Sequence, residues 1–148
     1  MADLMTDTPV DPAAGWVADH VRLYTQSDGA QGHIWREGVP TLLLTTRGRK
    51  SGQARRTALI YARDGDSYVV MASYGGSPTH PDWYLNIEAD PEVVVQVGGE
   101  RFRARAMRDT PDTRAHLWGL MTAVWPDYDA YATKTNREIP VVVLTPHA

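Results

Sequence analysis

The chain has 148 residues, a length that suits one domain with a core large enough to need no metal or disulfide. It contains no cysteine, which excludes disulfides, iron–sulfur clusters, thiolate zinc sites and a cysteine nucleophile. The net charge of −3 argues against a nucleic-acid-binding protein. Five of the 15 basic residues nevertheless lie between Arg47 and Arg56 with no acidic residue among them, which indicates a small anionic ligand.

Residues 1–12 form an acidic stretch rich in proline, aspartate and threonine, which predicts a disordered tail rather than a signal peptide. The remaining residues, 13–148, are expected to form a single domain. No apolar run approaches the roughly 18 residues that a membrane-spanning helix needs. We therefore expect a cytoplasmic protein, and association with a membrane surface stays open.

The first half of the chain predicts one helix followed by three strands. Apolar side chains recur at the helical interval across residues 13–26. A leucine-rich run at 41–46 predicts a strand that is buried on both faces. Residues 56–63 and 67–73 read as the two strands of a hairpin, because the Asp-Gly-Asp sequence between these apolar runs is a strong hairpin signal.

The second half predicts more helix and one further hairpin. Residues 80–88 are expected to form a short helix with Pro81 in its first turn. Strands are expected at 92–97 and 101–107 around a Gly-Gly turn, helices at 110–124 and 127–135, and a last buried strand at 139–144. This order predicts an α+β fold with a mostly antiparallel sheet of about six strands, which tends to close into a barrel.

The basic segment between the first two predicted strands carries the groups that a phosphate site needs. Such a site uses a glycine-permitted backbone turn, a hydroxyl, a lysine and a guanidinium fork. All of these occur within eight residues, at Arg49, Lys50, Ser51, Gly52, Arg55 and Arg56. The order of these residues is not that of a Walker loop. The alternative is a solvated basic turn that binds no ligand.

Two segments after the second hairpin strand could contact a flat ligand. The sequence Ala72-Ser73-Tyr74-Gly75-Gly76 ends a predicted strand, and its glycines would let a ring or another backbone come close. Trp83 and Asn86 are three residues apart, so they share one face of the predicted helix. The alternative is an ordinary turn followed by a tryptophan that anchors the core.

An aromatic stripe follows the long predicted helix of the second half. Trp125, Tyr128 and Tyr131 recur at helical spacing. They could line the mouth of a pocket and stack on a planar molecule, or they could simply belong to the core.

Other common kinds of site have little support in the sequence. The five histidines are scattered and no pair has the spacing of metal ligands, so no metal site is predicted. The sequence also lacks the G-x-S-x-G and H-E-x-x-H motifs of hydrolases. We therefore do not expect hydrolysis.

In this order the segments resemble the deazaflavin-dependent nitroreductase and quinone reductase family of actinobacteria. The resemblance rests on Leu42-Leu-Leu-Thr-Thr-Arg-Gly-Arg-Lys-Ser-Gly52, Arg56-Thr57, Ala72-Ser-Tyr-Gly-Gly76, His80-Pro81 with Trp83-Tyr84-Leu85-Asn86, and Ile139-Pro-Val-Val-Val143. It covers roughly residues 14–146, almost the whole chain. It implies an α+β split β-barrel of the kind found in flavin reductases and pyridoxamine-phosphate oxidases.

The resemblance also implies a cofactor and a reaction. The cofactor is coenzyme F420, a 5-deazaflavin ring that carries a phosphate and a polyglutamate tail. Its reduced form would pass a hydride to a small, planar, electron-poor acceptor such as a quinone, a nitroheterocycle or an activated enone.

Residue roles follow from the same resemblance. The phosphate and the acidic tail would lie against Arg49, Lys50, Ser51, Gly52, Arg55, Arg56 and Thr57. The ring and its ribityl chain would lie near Ala72, Ser73, Gly75, Gly76, Trp83 and Asn86. The acceptor would contact Trp125, Tyr128 and Tyr131, and Tyr128, Tyr131 or Ser73 could relay a proton. In this family a tyrosine often stands at the position of Trp125.

Three alternatives on the same barrel stay open at this point. An FMN-dependent oxidoreductase would need the same phosphate site but little positive charge beyond it. A non-catalytic deazaflavin carrier would have its bound ring covered by Trp125 or Tyr131 rather than open to an acceptor. A haem-handling protein would need an axial ligand, which the sequence does not obviously offer. Nucleic acid is not expected as a partner, and a homodimer is left open.

Overall fold

The structure is a computed structural model that describes residues 3–12, 16–34, 38–73, 76 and 78–147, without the side chain of Trp16. Its elements are α1 Trp16–Gln26, β1 Thr41–Arg47, β2 Ala54–Ile60, β3 Ala62–Asp64, β4 Ser67–Met71, α2 Asp82–Ala89, β5 Glu92–Val97, β6 Glu100–Arg108, α3 Arg114–Val124, α4 Asp127–Thr133 and β7 Val141–Pro146. Ala13 to Gly15, where the first predicted helix was expected to start, lie outside the described residues. In the described part of the chain, no helix is long and apolar enough to cross a membrane.

All seven strands belong to one antiparallel sheet, in the order β2-β1-β5-β6-β7-β4-β3. The predicted α+β class with an antiparallel sheet is confirmed. The sheet has seven strands rather than about six, because the single strand predicted at 56–63 is interrupted at Tyr61.

The interruption at Tyr61 determines the shape of the sheet. β2 and β3 lie at opposite edges of the strand order, yet only Tyr61 separates them along the chain. One residue can join opposite edges only if the sheet curls until those edges meet. Tyr61 is buried at this junction, and its backbone N–H donates to the carbonyl of Pro40 at 3.2 Å. The result is a curled half-barrel.

Alternating side chains of the strands fill cores on both sides of the curled sheet. Leu42 and Leu44 of β1 point into the barrel, where they share a core with Trp83 and Tyr84 of α2. Leu43 points outward and packs against α1. The prediction of a first strand buried on both faces is therefore confirmed. A third core lies where α3 and α4 cover β3, β4 and β7.

Both predicted hairpin turns are confirmed. Asp64 pairs with Ser67, and Val97 pairs with Glu100, so each turn has two residues at its tip. The helix expected from residue 110 begins instead at Arg114. The Thr113 hydroxyl accepts the backbone N–H of Thr110 at 2.9 Å, which stabilises a turn ahead of the helix.

Residues 3–12, the described part of the N-terminal segment, contact the sheet. Val10 forms a parallel β-bridge with Arg55 on the free edge of β2. Asp7 pairs with Arg47 at 2.8 Å. The physical reason is that the edge of β2 offers unpaired backbone groups and nearby arginines, which composition alone could not reveal.

Candidate functional site

A groove of about 860 Å³ lies between β2, the end of β4, and helices α1, α2 and α4. This volume falls within the usual range for sites that bind small molecules and cofactors. The groove brings together nine of the residues predicted to bind a ligand: Arg55, Arg56, Thr57, Ser73, Trp83, Asn86, Trp125, Tyr128 and Tyr131.

The groove has a cationic part and an aromatic part, which are connected along β2. Arg55 and Arg56 lie near the start of this strand, and Ile60 lies at its end. Ile60 packs with the cluster that contains Tyr128, Trp125 and Tyr131. Ile60 is the fourth residue after Arg56 along the strand, a distance of roughly 13 Å. A ligand in this groove can therefore meet cations and aromatic rings at the same time.

Arg56 is paired with an acidic residue of the N-terminal segment. Its Nε and Nη2 donate to the two carboxylate oxygens of Asp11 at 2.7 and 2.9 Å. This is the bidentate fork geometry with which arginine binds carboxylates and phosphates. The side chain of Arg56 is 17% exposed and that of Asp11 is 36% exposed, so this pair is partly open to water.

Arg49 is directed toward α2 and does not line the groove. Its guanidinium donates to the side-chain oxygen of Asn86 at 2.9 Å and lies 3.3 Å from the carboxylate of Asp82. The backbone N–H of Arg49 donates to the same oxygen of Asn86 at 3.2 Å. Asn86 in turn donates to the hydroxyl of Thr46 at 3.1 Å, in a buried position. Asn86 thus ties the β1–β2 turn to α2.

The rest of the predicted phosphate segment forms a tight, exposed turn. Gly52 has φ +73°, and its N–H donates to the carbonyl of Gly48 at 2.8 Å. The hydroxyl of Ser51 accepts the N–H of Gln53 at 3.2 Å. Within the described residues, neither Lys50 nor Arg55 has an ion-pair partner, and both are exposed. These two cations are therefore available to an external anion.

The end of β4 is held from outside the groove by Arg137. Its guanidinium donates to the carbonyls of Ala72 at 3.2 Å and Ser73 at 2.8 Å. It also lies 3.0 Å from Nδ1 of His80. Burial, followed by the charge of Arg137, lowers the pKa of His80, which favours the neutral ring that can accept this hydrogen bond. Ser73 faces the groove, whereas Ala72 is fully buried in the barrel core.

Gly76 approaches the protein's own backbone rather than the groove. A Cβ at this position would lie 2.7 Å from the carbonyl oxygen of Tyr131, and φ is +81°. Only glycine permits this approach of the loop to α4 without strain. Tyr74 and Gly75 lie outside the described residues, so the predicted contact of Gly75 with a ring stays a prediction.

The aromatic part of the groove carries two phenol groups and an indole. The rings of Tyr128 and Tyr131 meet edge to face, with centroids 5.8 Å apart. The indole N–H of Trp125 donates to the hydroxyl of Tyr131 at 3.3 Å. Burial, with a smaller contribution from Tyr131, raises the pKa of Tyr128. Tyr128 therefore stays protonated across the physiological range and can donate a hydrogen bond.

Several groove residues were not predicted from the sequence. They include Asp11 from the N-terminal segment, His20 of α1, Thr41 and Thr46 of β1, and Asp82 at the start of α2. Their only local signal was a polar side chain in an otherwise apolar element, as with the threonines of β1. In the described part of the chain, no three histidine, aspartate or glutamate side chains come together as a possible metal site.

The curled sheet defines the class of the protein as a split β-barrel, and its groove is lined by arginines and aromatic side chains. A solved structure from Listeria innocua, described under pyridoxamine 5'-phosphate oxidase, has the same fold at 12% identity. Its TM-score is 0.51, and the match covers 73% of this chain and 84% of that one. At such low identity the likeness concerns the fold alone. The split barrel predicted from the sequence is confirmed.

Residues 16–146 match the F420H(2)-dependent quinone reductase family, and the chain belongs to it. A relative in Mycobacterium tuberculosis, F420H(2)-dependent quinone reductase Rv1261c, is 42% identical over 129 residues, which are 85% of this chain and 87% of the relative.

Two solved structures are similar at comparable identity. One is described as an F420-H2 dependent reductase, with 40% identity, a TM-score of 0.66, and coverage of 71% of this chain and 93% of that one. The other is described as a domain-swapped dimer, with 36% identity, a TM-score of 0.69, and coverage of 85% and 97%.

Proposed function

We propose that this protein is an oxidoreductase that transfers a hydride from reduced F420 to a small, planar, electron-poor acceptor of the quinone type. Its membership of the F420H(2)-dependent quinone reductase family supports the reaction. The observation that carries the proposal is that two arginines of β2 and three aromatic side chains of the α4 region line the same groove. The arginines suit an anionic coenzyme, and the aromatic side chains suit a flat acceptor.

The groove residues fit the coenzyme by their chemistry. Arg55, Arg56 and Thr57 would hold its phosphate, as guanidinium and hydroxyl groups commonly do. Ser73, Trp83 and Asn86 would flank its ring or ribityl chain. When bound in its reduced form, F420 supplies the hydride.

The remaining predicted cofactor residues would act from outside the groove. Lys50 and Arg49, with Ser51 and Gly52, stand on the exposed β1–β2 turn, where an acidic tail leaving the groove would pass. Ala72 and Gly76 would support the site by positioning the backbone on either side of Ser73. Ala72 is buried in the core, and Gly76 lies against α4.

Two tyrosines are the best candidates for hydrogen-bond donors to the acceptor. The hydroxyl of Tyr131 accepts the indole N–H of Trp125, which leaves its own proton free to point at an acceptor oxygen. Tyr128 keeps its proton because burial raises its pKa. Such donors stabilise negative charge that develops on an oxygen during hydride transfer. Ser73, which also lines the groove, is the third candidate.

The aromatic lining also favours an enzyme over a carrier. Trp125 and Tyr131 are bonded to each other and line the groove at partial exposure. Side chains that are partly exposed in the groove can contact an acceptor, which a carrier would not need. An FMN-dependent enzyme on the same barrel is not favoured by the family to which the chain belongs.

The first test is a binding titration of the purified protein with oxidised F420 and, separately, with FMN. Trp83 and Trp125 both line the groove, so binding should quench tryptophan fluorescence. We expect saturable quenching by F420 and weaker or no quenching by FMN. Tight binding of FMN alone would contradict the proposed cofactor.

The second test compares cations inside and outside the groove. Arg55→Ala should weaken F420 binding by about 1–3 kcal/mol, the range for a charge-assisted hydrogen bond. Arg22→Ala is the matched control, because Arg22 is exposed on α1 and pairs with Asp19. Equal affinities of the two variants at low salt would remove Arg55 from the site.

Two further properties can be measured on the same preparation. The similar structure described as a domain-swapped dimer supports a homodimer here as well, which light scattering would test. Residues 13–148 are proposed to fold as one domain, which predicts a single cooperative unfolding transition in urea.

A further inference from the structure

Residues 3–12 form what we call the N-terminal strap. Asp3 at its start pairs with Arg103 of β6, and Val10 near its end pairs with the free edge of β2. The N–H of Val10 donates to the carbonyl of Ala54 at 2.8 Å, and the N–H of Arg56 donates to the carbonyl of Val10 at 3.0 Å. The strap is therefore held by backbone pairing directly beside the two arginines of the groove.

Acidic side chains of the strap neutralise arginines of the basic segment. Asp11 pairs with Arg56 through both carboxylate oxygens, and Asp7 pairs with Arg47 at 2.8 Å. A guanidinium fork of this kind accommodates one bidentate anion at a time. Arg56 therefore cannot hold an external phosphate or carboxylate in the same geometry while Asp11 stays in place.

The strap also reaches into the groove. Val10, Asp11 and Pro12 are among its lining residues, together with Arg55 and Arg56. The carboxylate of Asp11 consequently lies where an anionic group of a ligand would meet Arg56. Arg55 stands beside this pair and has no ion-pair partner among the described residues.

We propose that Asp11 is a specificity-determining residue, an internal carboxylate that competes with the anionic part of the coenzyme for Arg56. This rests on the proposed function and deepens it. A ligand with a single anionic group has to displace Asp11 with that group alone. A ligand with several anionic groups first binds the unpaired Arg55 and Lys50, which raises the local concentration of its other anions at Arg56. The strap thus disfavours ligands that carry only one anionic group.

The test compares Asp11→Asn with Asp19→Asn by fluorescence titration with oxidised F420 and with FMN. Both substitutions remove one negative charge, but Asp19 is exposed on α1 and pairs only with Arg22 among the described residues. Asp11→Asn should tighten F420 binding by about twofold to fivefold, the range for releasing a partly exposed ion pair. FMN should gain at least as much, because its single phosphate has no other way to reach Arg56. Asp19→Asn should bind both ligands as the wild-type protein does.

Hydrogen exchange of the wild-type protein gives a second readout that needs no variant. If F420 displaces the strap, the amides of Val10 and Arg56 exchange faster once F420 is added, because each loses its partner. Slower exchange at these amides would overturn the proposal, since the strap would then close over the ligand.

The titration separates failure of this inference from failure of the proposed function. If F420 binds wild-type, Asp11→Asn and Asp19→Asn with equal affinity, Asp11 does not compete and only the inference is overturned. If F420 binds none of the three, the proposed cofactor is wrong and the inference is overturned with it.

Discussion

Replacing Asn86 by alanine should destabilise the protein through the junction between the β1–β2 turn and α2. Asn86 is 3% exposed and makes three hydrogen bonds, two to Arg49 and one to Thr46. The variant leaves the hydroxyl of Thr46, which is 1% exposed, without this donor. A buried polar group that loses its partner costs about 1–3 kcal/mol.

The bonds to Arg49 contribute less than their number suggests. The side chain of Arg49 is 25% exposed, so water can replace part of what is lost, and we assign about 1 kcal/mol to both bonds together. The expected decrease in the free energy of unfolding is therefore about 2–4 kcal/mol. For a domain of this size, each kcal/mol corresponds to roughly 2–4 °C in melting temperature.

Urea denaturation and thermal unfolding, both followed by circular dichroism, measure this decrease. Asn136→Ala is the matched control, because Asn136 is exposed and should change stability by less than about 0.5 kcal/mol. A double-mutant cycle with Thr46→Val isolates the bond between the two side chains. Equal denaturation midpoints for the Asn86 and Asn136 variants would refute the role assigned to Asn86.

The other predictions concern catalysis, pH and backbone strain. Tyr128→Phe should lower kcat with a quinone by about a hundredfold while coenzyme affinity stays the same. This is the effect expected when a developing oxyanion loses a hydrogen-bond donor. Unchanged turnover would remove Tyr128 from the mechanism. Burial and Arg137 lower the pKa of His80 in the folded state. The unfolded chain therefore binds a proton at His80 more readily than the folded protein does. The free energy of unfolding should decrease as pH falls from about 6.5 through the folded-state pKa of His80. In urea titrations at several pH values, His80→Gln should flatten this dependence. Gly76→Ala should cost about 1–3 kcal/mol, because the new Cβ would meet a backbone oxygen of α4 at positive φ. Gly119→Ala in α3, where the Cβ meets open space, should instead stabilise by about 0.5–1 kcal/mol, and a similar loss for both glycines would contradict the strain argument.

Elements with a strong local signal could be predicted from the sequence. The leucine run of β1 and the two glycine-containing hairpin turns appear where they were expected. The break at Tyr61 could not be predicted, because nothing in that apolar run differs from a continuous strand. It arises from curling of the whole sheet, which depends on pairings between residues far apart in the chain.

The candidate site was predicted only in part, again because contacts between residues far apart in the chain leave no local signal in the sequence. Residue types that suit a phosphate identified Arg55 and Arg56, and both line the groove. The same reasoning could not foresee that Arg49 turns toward Asn86, or that Asp11 pairs with Arg56, 45 residues further along the chain. Side-chain chemistry indicates what a residue can bind, whereas its actual partner depends on the tertiary fold.

The joining of opposite sheet edges through Tyr61 also restricts how the protein can move. The groove walls that come from β2 and β4 belong to a sheet whose edges are connected by one buried residue. These walls cannot separate far without disrupting the surrounding core, so the barrel behaves as a rigid frame. Changes in the shape of the groove must then come from elements outside the sheet, such as α4 and the N-terminal strap, whose amides should exchange faster than those of the central strands. The amides of β1, β5 and β6 should exchange only through global unfolding, so ligand entry and barrel opening are separate events on different timescales.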